Sequence, residues 1–297
     1  MKILLTGASG FLGKTILTAF NKSTEIITLG RSKDAIINCD LSDQIPILPI
    51  IEMVIHAAGK AHLVPKNEEE KMDFDKVNVQ GTRNLLLALE NNLSLKKIVF
   101  ISSVAVYGLI KGKDIKEDAP LNATDAYGKS KIAAEKLIVD WCIARDIDYY
   151  ILRLPLIAGK NAPGNLGAMV KGIKTGKYFS IGKAVAKKSI VVDTDIAEFV
   201  KTIKGPSGIY NLTDGYNPSF SELENKIAKF YNKRNPTSFP FFAIKLVAVA
   251  GDVIGSKFPL NSNKLNKITS TLTFNDGSAR AALHWAPQEV LKGWQIE

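Results

Sequence analysis

Five short apolar runs, KILLT (2–6), EIITL (25–29), MVIHAA (53–58), KIVFIS (97–102) and YYILRL (149–154), recur through the first half of the chain. A strand with one face in water alternates apolar and polar residues. These runs do not, so both of their faces are expected to be covered. Helical patterns fill the gaps, clearest at VNVQGTRNLLLALENN (77–92) and AYGKSKIAAEKLIVDWCIARD (126–146). Strands separated by helices are joined by crossovers, and crossovers make parallel neighbours. The expectation is an α/β protein: a doubly wound parallel sheet with helices on both faces.

After Arg153 the texture changes. Gly and Pro punctuate LPLIAGKNAPGNLG (154–167), helices are expected at about 165–176 and 194–203, and a last strand-like run, GIYNLT (208–213), precedes a mostly helical remainder. This reads as a smaller, mostly helical second domain capping the carboxyl edge of the sheet, where open α/β sheets bind ligands. The expected division gives 1–158 with about 190–213 to the first domain. About 159–189 and 214–297 form the second.

The net charge of +10 raises nucleic acid as a partner, but the lysines are spread along the chain, in pairs such as Lys96–Lys97 and Lys187–Lys188. No basic arm, zinc-finger spacing or RNA-binding aromatic signature accompanies them, so nucleic acid is not expected. An anionic small substrate suits the same field. Two cysteines, Cys39 and Cys142, supply neither a disulfide framework nor metal-ligand spacing. No metal is expected, and a reducing, cytoplasmic setting is the simple reading. The apolar start of MKILLTGASG ends at Leu5, short of a secretory h-region of roughly 7–15 residues. FFAIKLVAVAGDVIG (241–255), interrupted by Lys245 and Asp252, falls short of the ~20 residues that span a bilayer. A core or subunit-contact helix is expected there, without membrane insertion.

TGASGFLGK (6–14) directly follows the first apolar run and opens a helix. Gly7, Gly10 and Gly13 have the spacing GxxGxxG, which suits a tight turn, close approach of a pyrophosphate to backbone N–H groups, and close helix–strand packing. A dinucleotide site is expected. Cofactors with a free ribose meet a carboxylate near the end of the second strand. EIITLGRSKD instead offers Gly30 and then Arg31, with no carboxylate before Asp34. A guanidinium suits a 2′-phosphate, so NADP is expected rather than NAD. Asp40 and Leu41 are placed to meet the adenine, and Ala57, Ala58 and Gly59 let the chain pass close to the cofactor.

Tyr127 and Lys131 lie four positions apart, on one face of a helix. A free phenol titrates near 10, so proton transfer near neutrality needs about 4 kcal/mol of help. An ammonium ~5 Å away at an effective dielectric of ~20 supplies about 3 kcal/mol of it. A hydroxyl at the preceding strand end, Ser103 in FISSVAVYG (100–108), is the third candidate, able to hydrogen-bond a substrate oxygen.

Taken together, these pieces resemble the extended short-chain dehydrogenase/reductase family, in its nucleotide-sugar epimerase/dehydratase/reductase branch, over nearly the whole chain. The matching segments are TGASGFLG (6–13), DL (40–41), HAAG (56–59), NVQGT (78–82), ISSVAVYG (101–108), YGKSK (127–131), LRLPLIAG (152–159), KKSIVVDTDIA (187–197) and NDGSARAALHWAP (275–287). The resemblance implies a Rossmann-type sheet and a triad of Ser103, Tyr127 and Lys131. Tyr127 would be the acid/base, and Lys131 would also hold the nicotinamide ribose. It implies cofactor contacts from Ser9, Phe11 and Leu12 beside the three glycines, and from Pro155. A nucleotide-diphosphate sugar is the implied substrate, met by Ser103, by Asn165 and by Lys188, which stands in the place of an arginine that often pairs with the diphosphate. His62, a lone loop histidine, is read as solvated, and His56 and His284 as structural. Family members are often dimers, joined through the helices containing 77–92 and 126–146.

Departures from the family pattern narrow the reaction. The 4,6-dehydratases carry an Asp-Glu pair right after the triad hydroxyl; here Val104 and Ala105 stand there and cannot move protons. The epimerases typically carry an acidic second-strand residue, absent here, and often read R-D-Y-I-H-V where this chain has Lys188 to Asp193. AAGKAH (57–62), GNLGAMVKGIKTG (164–176), KKSIV and KLNKITSTLTFNDGSAR look most like bacterial surface-polysaccharide 4-ketoreductases acting on UDP-4-keto-6-deoxy sugars. The expected activity is therefore NADPH-dependent reduction of the 4-keto group of a nucleotide-linked sugar. The alternative is a nucleotide-sugar 4-epimerase. A non-catalytic NADP-binding sensor or scaffold is the alternative of another class, against which the intact YxxxK argues.

Overall fold

The computed structural model describes residues 1–20, 24–61, 65–254 and 261–296. Its strands are β1 (Lys2–Thr6), β2 (Glu25–Gly30), β3 (Ile37–Asn38), β4 (Met53–His56), β5 (Lys97–Ser103), β6 (Gly112–Ile115), β7 (Asp148–Leu154), β8 (Leu156–Ala158), β9 (Ser180–Ile181), β10 (Ile190–Val192), β11 (Gly208–Asn211), β12 (Ser238–Phe239) and β13 (Leu272–Phe274). Its helices are α1 (Phe11–Ala19), α2 (Glu68–Phe74), α3 (Gly81–Ala88), α4 (Ala126–Ile143), α5 (Gly164–Lys174), α6 (Asp193–Thr202), α7 (Phe220–Phe230), α8 (Phe241–Ile254), α9 (Ser262–Thr269), α10 (Gly277–Leu283) and α11 (Val290–Gly293).

Each apolar run becomes a strand of one sheet, in the order β11-β7-β5-β4-β1-β2-β3. Every pairing in that sheet is parallel. The strand order reverses between β1 and β4, so a crevice opens at their carboxyl ends. Both faces are covered, as the unbroken apolar runs require. Leu12, Ile16, Ile196, Val200 and Leu283 pack one face; Leu85, Leu86, Leu89, Ala134, Ile138 and Cys142 pack the other. Cys39 and Cys142 both lie in this second core as free thiols. Burial pushes the Cys142 thiol up to about 12, so it is inert near neutrality.

A third core lies beyond the sheet, where Leu166, Met169 and Ile173 of α5 meet Leu223 and Ile227 of α7 and Trp294. The seam is β10, which pairs with β8. Ile190 and Val192 point into the third core while Val191 points into the first, the alternation of side chains along a strand. A single residue step thus ties the two bodies together.

One segment differs from the sequence expectation. The helix expected over 77–92 is interrupted: residues Asp75–Gln80 form a π-helical stretch, and regular α-helix begins only at Gly81. The extra residue in that turn carries Asn78 inward to full burial. Insertions of this kind recur at functional sites. The helix expected in the core or at a subunit contact, α8, is half-buried in the single chain. Ala248 and Gly251 face the protein, but Phe242, Leu246 and Val249 are exposed. Among the described residues no helix is long and apolar enough to cross a membrane.

Candidate active site

The turn after β1 is shaped by what its glycines exclude. Gly7 has φ +75, and a Cβ there would sit 2.6 Å from the backbone N of Ala58. A Cβ on Gly13 would run into the Gly7 carbonyl. The loop therefore lies flat against the β4 exit, and Gly10 N donates to Gly7 O at 3.0 Å. Ser9 and Gly10 are exposed at its tip, and Phe11 opens α1. Leu12 is buried in the core, so it offers the crevice only its backbone. A glycine cradle at a helix N-terminus, in the β1/β4 crevice, fits the pyrophosphate of a dinucleotide.

A chain of hydroxyls and one imidazole fixes the β1 and β4 exits to each other. Ala58 N donates to Thr6 Oγ1 at 3.1 Å, Thr6 Oγ1 lies 2.7 Å from His56 Nδ1, and His56 Nε2 lies 3.0 Å from Thr82 Oγ1. Thr82 Oγ1 in turn donates to Asn78 O at 2.6 Å. Every member is satisfied if His56 is neutral with its proton on Nε2. Burial holds it there, with the Lys131 charge adding to it, and lowers its pKa to about 3. His56 is structural.

The second-strand exit is less one-sided than its sequence. Arg31 is 74% exposed after β2, but Asp40, nine positions on, comes within 3.7 Å of its guanidinium. Asp40 also accepts from Ser42 N at 3.0 Å. Leu41 is buried, and its carbonyl accepts from Asn84. A carboxylate is thus present at this exit after all, supplied by the loop after β3.

Residues 102 and 103, at the end of β5, point to opposite sides of the sheet. Ser103 caps a short 3₁₀ turn, Val104–Tyr107, accepting from Ala105 N at 3.2 Å. Tyr127 lies in the first turn of α4, which Asp125 caps by accepting from Gly128 N at 3.0 Å. Gly128 lets that turn approach: a Cβ there would stand 2.8 Å from the Ala105 carbonyl. The Ser103 hydroxyl is close enough to the phenol to act on its titration. Lys131, one turn on and 5% exposed, donates to Ile101 O at 2.8 Å and lies 4.5 Å from the Phe100 ring centroid.

The electrostatics differ from the expectation that Lys131 would draw the phenol down. Burial pushes the Tyr127 pKa up, and the Ser103 hydroxyl offsets this only in part. The resting phenol is a proton carrier, not a phenolate. Burial also acts on Lys131 and lowers it to about 8, against a carboxylate, Glu135, that raises it.

Asn78 is the residue the sequence reading passed over, although NVQGT contains it. Its Oδ1 accepts from Lys60 N at 2.7 Å. Its Nδ2 donates to Lys60 O and, at 2.8 Å, to Ser130 Oγ. Ser130 Oγ in turn donates to Tyr127 O at 2.8 Å. One buried amide therefore fixes the Gly59–Lys60 loop relative to α4. The signal was a polar residue where a helical period demands an apolar one.

The remaining candidates are spread more widely. Ala57 and Ala58 are half-buried and Gly59 exposed at the β4 exit, and Pro155 separates β7 from β8. Asn165 is exposed in the first turn of α5. Lys188 is half-buried, donates from Nζ to Lys267 O at 2.9 Å, and is lowered to about 8 by burial. It is turned toward α9 and not toward the Ser103–Tyr127 pair. His62 lies outside the described residues.

Comparison with known proteins extends this picture. The family model for the NAD dependent epimerase/dehydratase family matches residues 3–212. An N-acetyl-alpha-D-glucosaminyl-diphospho-ditrans,octacis-undecaprenol 4-epimerase of Escherichia coli O157:H7 is 26% identical, over 98% of this chain and 92% of its own. A UDP-glucose 4-epimerase of Vibrio cholerae is 25% identical over the same shares. Among solved structures, the UDP-glucose 4-epimerase of Thermotoga maritima with UDP-glucose superposes with a TM-score of 0.77 at 18% identity, covering 99% of this chain and 96% of that one. At that identity the likeness is one of fold.

Proposed function

The chain belongs to the NAD dependent epimerase/dehydratase family, and from that premise we propose that it is an NAD(P)-dependent nucleotide-sugar 4-epimerase. The observation that carries the reading is the Ser103–Tyr127 pair beside Lys131 at the carboxyl edge of β5. Apolar Val104 and Ala105 stand where elimination of water would need proton-moving groups. Two relatives matched over nearly their whole length are 4-epimerases, which favours epimerisation over the net 4-keto reduction expected from the sequence.

In this reading the resting phenol first gives up its own proton, which the positive charges of Lys131 and of an oxidised nicotinamide would favour. As a phenolate, Tyr127 then takes the proton of the C4 hydroxyl as the C4–H bond breaks. It returns a proton to the same oxygen when that bond re-forms on the opposite face. Ser103 Oγ holds that oxygen in line with the phenol. Lys131 places a positive charge behind both and, from the same side, reaches the nicotinamide ribose. The chemistry NAD(P) supplies when bound is acceptance and return of the C4 hydride, so the sugar ends at the oxidation level at which it began. Gly7, Gly10 and Gly13 with the first turn of α1 would hold its pyrophosphate, and Arg31 or Asp40 its adenosine ribose. Residues 1–158 with about 190–213 carry the cofactor. About 159–189 and 214–297, including Asn165 and Lys188, carry the nucleotide diphosphate. A cytoplasmic homodimer joined through α3 and α4 is the assembly that goes with this reading.

The test is conversion of UDP-glucose and UDP-N-acetylglucosamine to their C4 epimers, followed by NMR without added NADPH. Epimer formed with no net change in nicotinamide absorbance supports the proposal. Stoichiometric NADPH consumption on a 4-keto sugar, with no epimer from either substrate, would replace it with the reductase. Neither activity in the wild type would leave the scaffold, and turnover kept in Tyr127→Phe would take the proton transfer away from Tyr127. Arg31 and Asp40 make opposite demands on the cofactor, and Arg31→Ala separates them: a preference for NADPH that drops about tenfold or more assigns Arg31 to a 2′-phosphate. An unchanged preference assigns the ribose to Asp40.

A second carrier for the sugar is favoured by one observation, the apolar outward face of α8. The E. coli relative acts on a sugar carried by a polyprenol diphosphate, and the chemistry at C4 is the same. Turnover of an undecaprenyl-diphosphate sugar with none of the UDP sugar would select that carrier.

A further inference from the structure

A helix on a protein surface ordinarily turns its polar side outward. In α8 the order is inverted. Ile244, Ala248 and Gly251 form the inward stripe, and the positions opposite them are Phe242, Leu246 and Val249, spaced i, i+4, i+7. Phe242 and Leu246 are each 69% exposed and Val249 49%. The apolar surface continues onto the neighbouring strand pair, where β9 and β12 run side by side. There the exposed rings of Phe179 and Phe239 meet edge to face with centroids 5.1 Å apart. Phe241 and Val185 line a groove of about 270 Å³ between α8 and the β9 loop.

The charges around this surface are mostly positive. Residues 177–186 and 229–254 contain Lys177, Lys183, Lys229, Lys233, Arg234 and Lys245 against one carboxylate, Asp252, which accepts from Ser262 N and Oγ. The groove adds one more, Glu224, which is buried. We propose that this face docks the protein on an anionic phospholipid bilayer, with α8 lying in the plane of the interface. Apolar side chains pointing away from the protein and a flank of lysines are what such a helix needs. Its 14 residues make a cylinder of about 21 Å, too short to cross a hydrocarbon core of about 30 Å. A second copy of the chain is the less fitting occupant. A two-fold contact through this face would set the same lysines against each other with Asp252, already engaged by Ser262, as the one exposed carboxylate of α8 between them. The docking surface is independent of the reaction at Tyr127: it predicts where the protein sits whichever sugar carrier it uses.

The experiment is co-sedimentation of the full chain with phosphatidylcholine vesicles, with and without about a third phosphatidylglycerol. Most of the protein is expected to pellet with the anionic vesicles and to stay in solution with phosphatidylcholine alone. Raising salt from about 0.05 M to about 0.5 M should release most of it. The double variant Leu246→Glu, Val249→Glu should lose binding at least ~10-fold with an unchanged melting temperature. Lys245→Glu, which leaves the apolar stripe intact, should lose roughly 5-fold or more. The proposal is overturned if the wild type stays in solution with anionic vesicles, or if both variants pellet as the wild type does. It is also overturned if the chain is a dimer that the double variant splits and that shows no vesicle binding, which assigns the face to a second copy.

Discussion

The end of β5 carries two clusters of nearly the same composition on opposite sides of one strand. On one side stand Ser103, Tyr127 and Lys131; on the other Ser102, Tyr107 and Arg153. The second cluster is closed. Arg153 donates to both carboxylate oxygens of Glu135, at 2.8 Å from Nη2. It also donates to Tyr107 Oη and to Glu117 O, each at 3.0 Å. Tyr107 donates to Asn211 Oδ1 at 2.8 Å, and Ser102 donates to Glu135. The first cluster is open: Ser103 Oγ accepts from a backbone N–H, Tyr127 stands beside it, and Lys131 spends one donor on a backbone carbonyl. Hydroxyl, phenol and cation make a scaffold where every group is spent and a site where some are held in reserve.

The comparison breaks most directly at the two tyrosines. Tyr127→Phe should lower turnover by about 10²- to 10⁴-fold, measured as epimer formed per unit time, with the melting temperature unchanged. Tyr107→Phe should do the reverse, since it strips a buried bond from Arg153 and Asn211. Turnover should change little, while stability falls by roughly 1–3 kcal/mol in urea unfolding. Equal loss of activity in both would mean that the closed cluster is also part of the site.

Next in size is Glu135→Ala. It leaves the Arg153 guanidinium buried without its counter-charge, at a cost of about 3–5 kcal/mol, read from the urea midpoint. Glu135 lies one turn beyond Lys131 on α4 and is the carboxylate that raises its pKa. The same substitution should therefore move the alkaline limb of the pH–rate profile downward. A variant as stable as the wild type would show that the closed cluster does not hold the fold.

How much of this was legible in the sequence follows from how far each signal reaches. Unbroken apolar runs and the glycine turn are local, and they marked the sheet and the crevice before any contact was known. Tyr127 and Lys131 were visible because i and i+4 is a fixed relation on a helix. Whether Ser102 or Ser103 belongs with them depends on which face of β5 each occupies, and the strand's end, where Ser103 caps the Val104–Tyr107 turn, decides that. The Arg31–Asp40 pair was not legible, because a loop after β3 brings together residues whose separation in sequence carries no period. Nor was the upward push on Tyr127: the sequence gives the ammonium's spacing, while the burial that raises the phenol belongs to the assembled crevice. The exposure of α8 was hidden for the opposite reason, an apolar sequence being the ordinary mark of a core helix.

The finest distinction between the clusters is that Lys131 titrates in an accessible range and Arg153 does not. An ordinary lysine loses its proton near 10.5, and buried Lys131 does so at about 8. Between these values the unfolded chain keeps a proton that the folded chain has released, so this group makes stability rise with pH across that window. The whole effect amounts to at most about 3 kcal/mol. Activity should move the other way, falling above about pH 8 as the charge behind Tyr127 is lost. Lys188 is lowered to about 8 as well, and the raised Cys142 thiol opposes both above pH 9. The measurement is therefore the difference between wild type and Lys131→Met, in which those shared contributions cancel. The variant should be more stable than wild type at pH 7, and the gap should close as pH approaches 10.5. Lys188→Met should show the same closing gap in stability with no change in the alkaline limb of kcat, which is read at saturating substrate so that the Lys188 contact with the diphosphate does not enter. If Lys131→Met is instead the less stable protein at pH 7, the bond to Ile101 outweighs the burial of the charge, and Lys131 is a strut like Arg153.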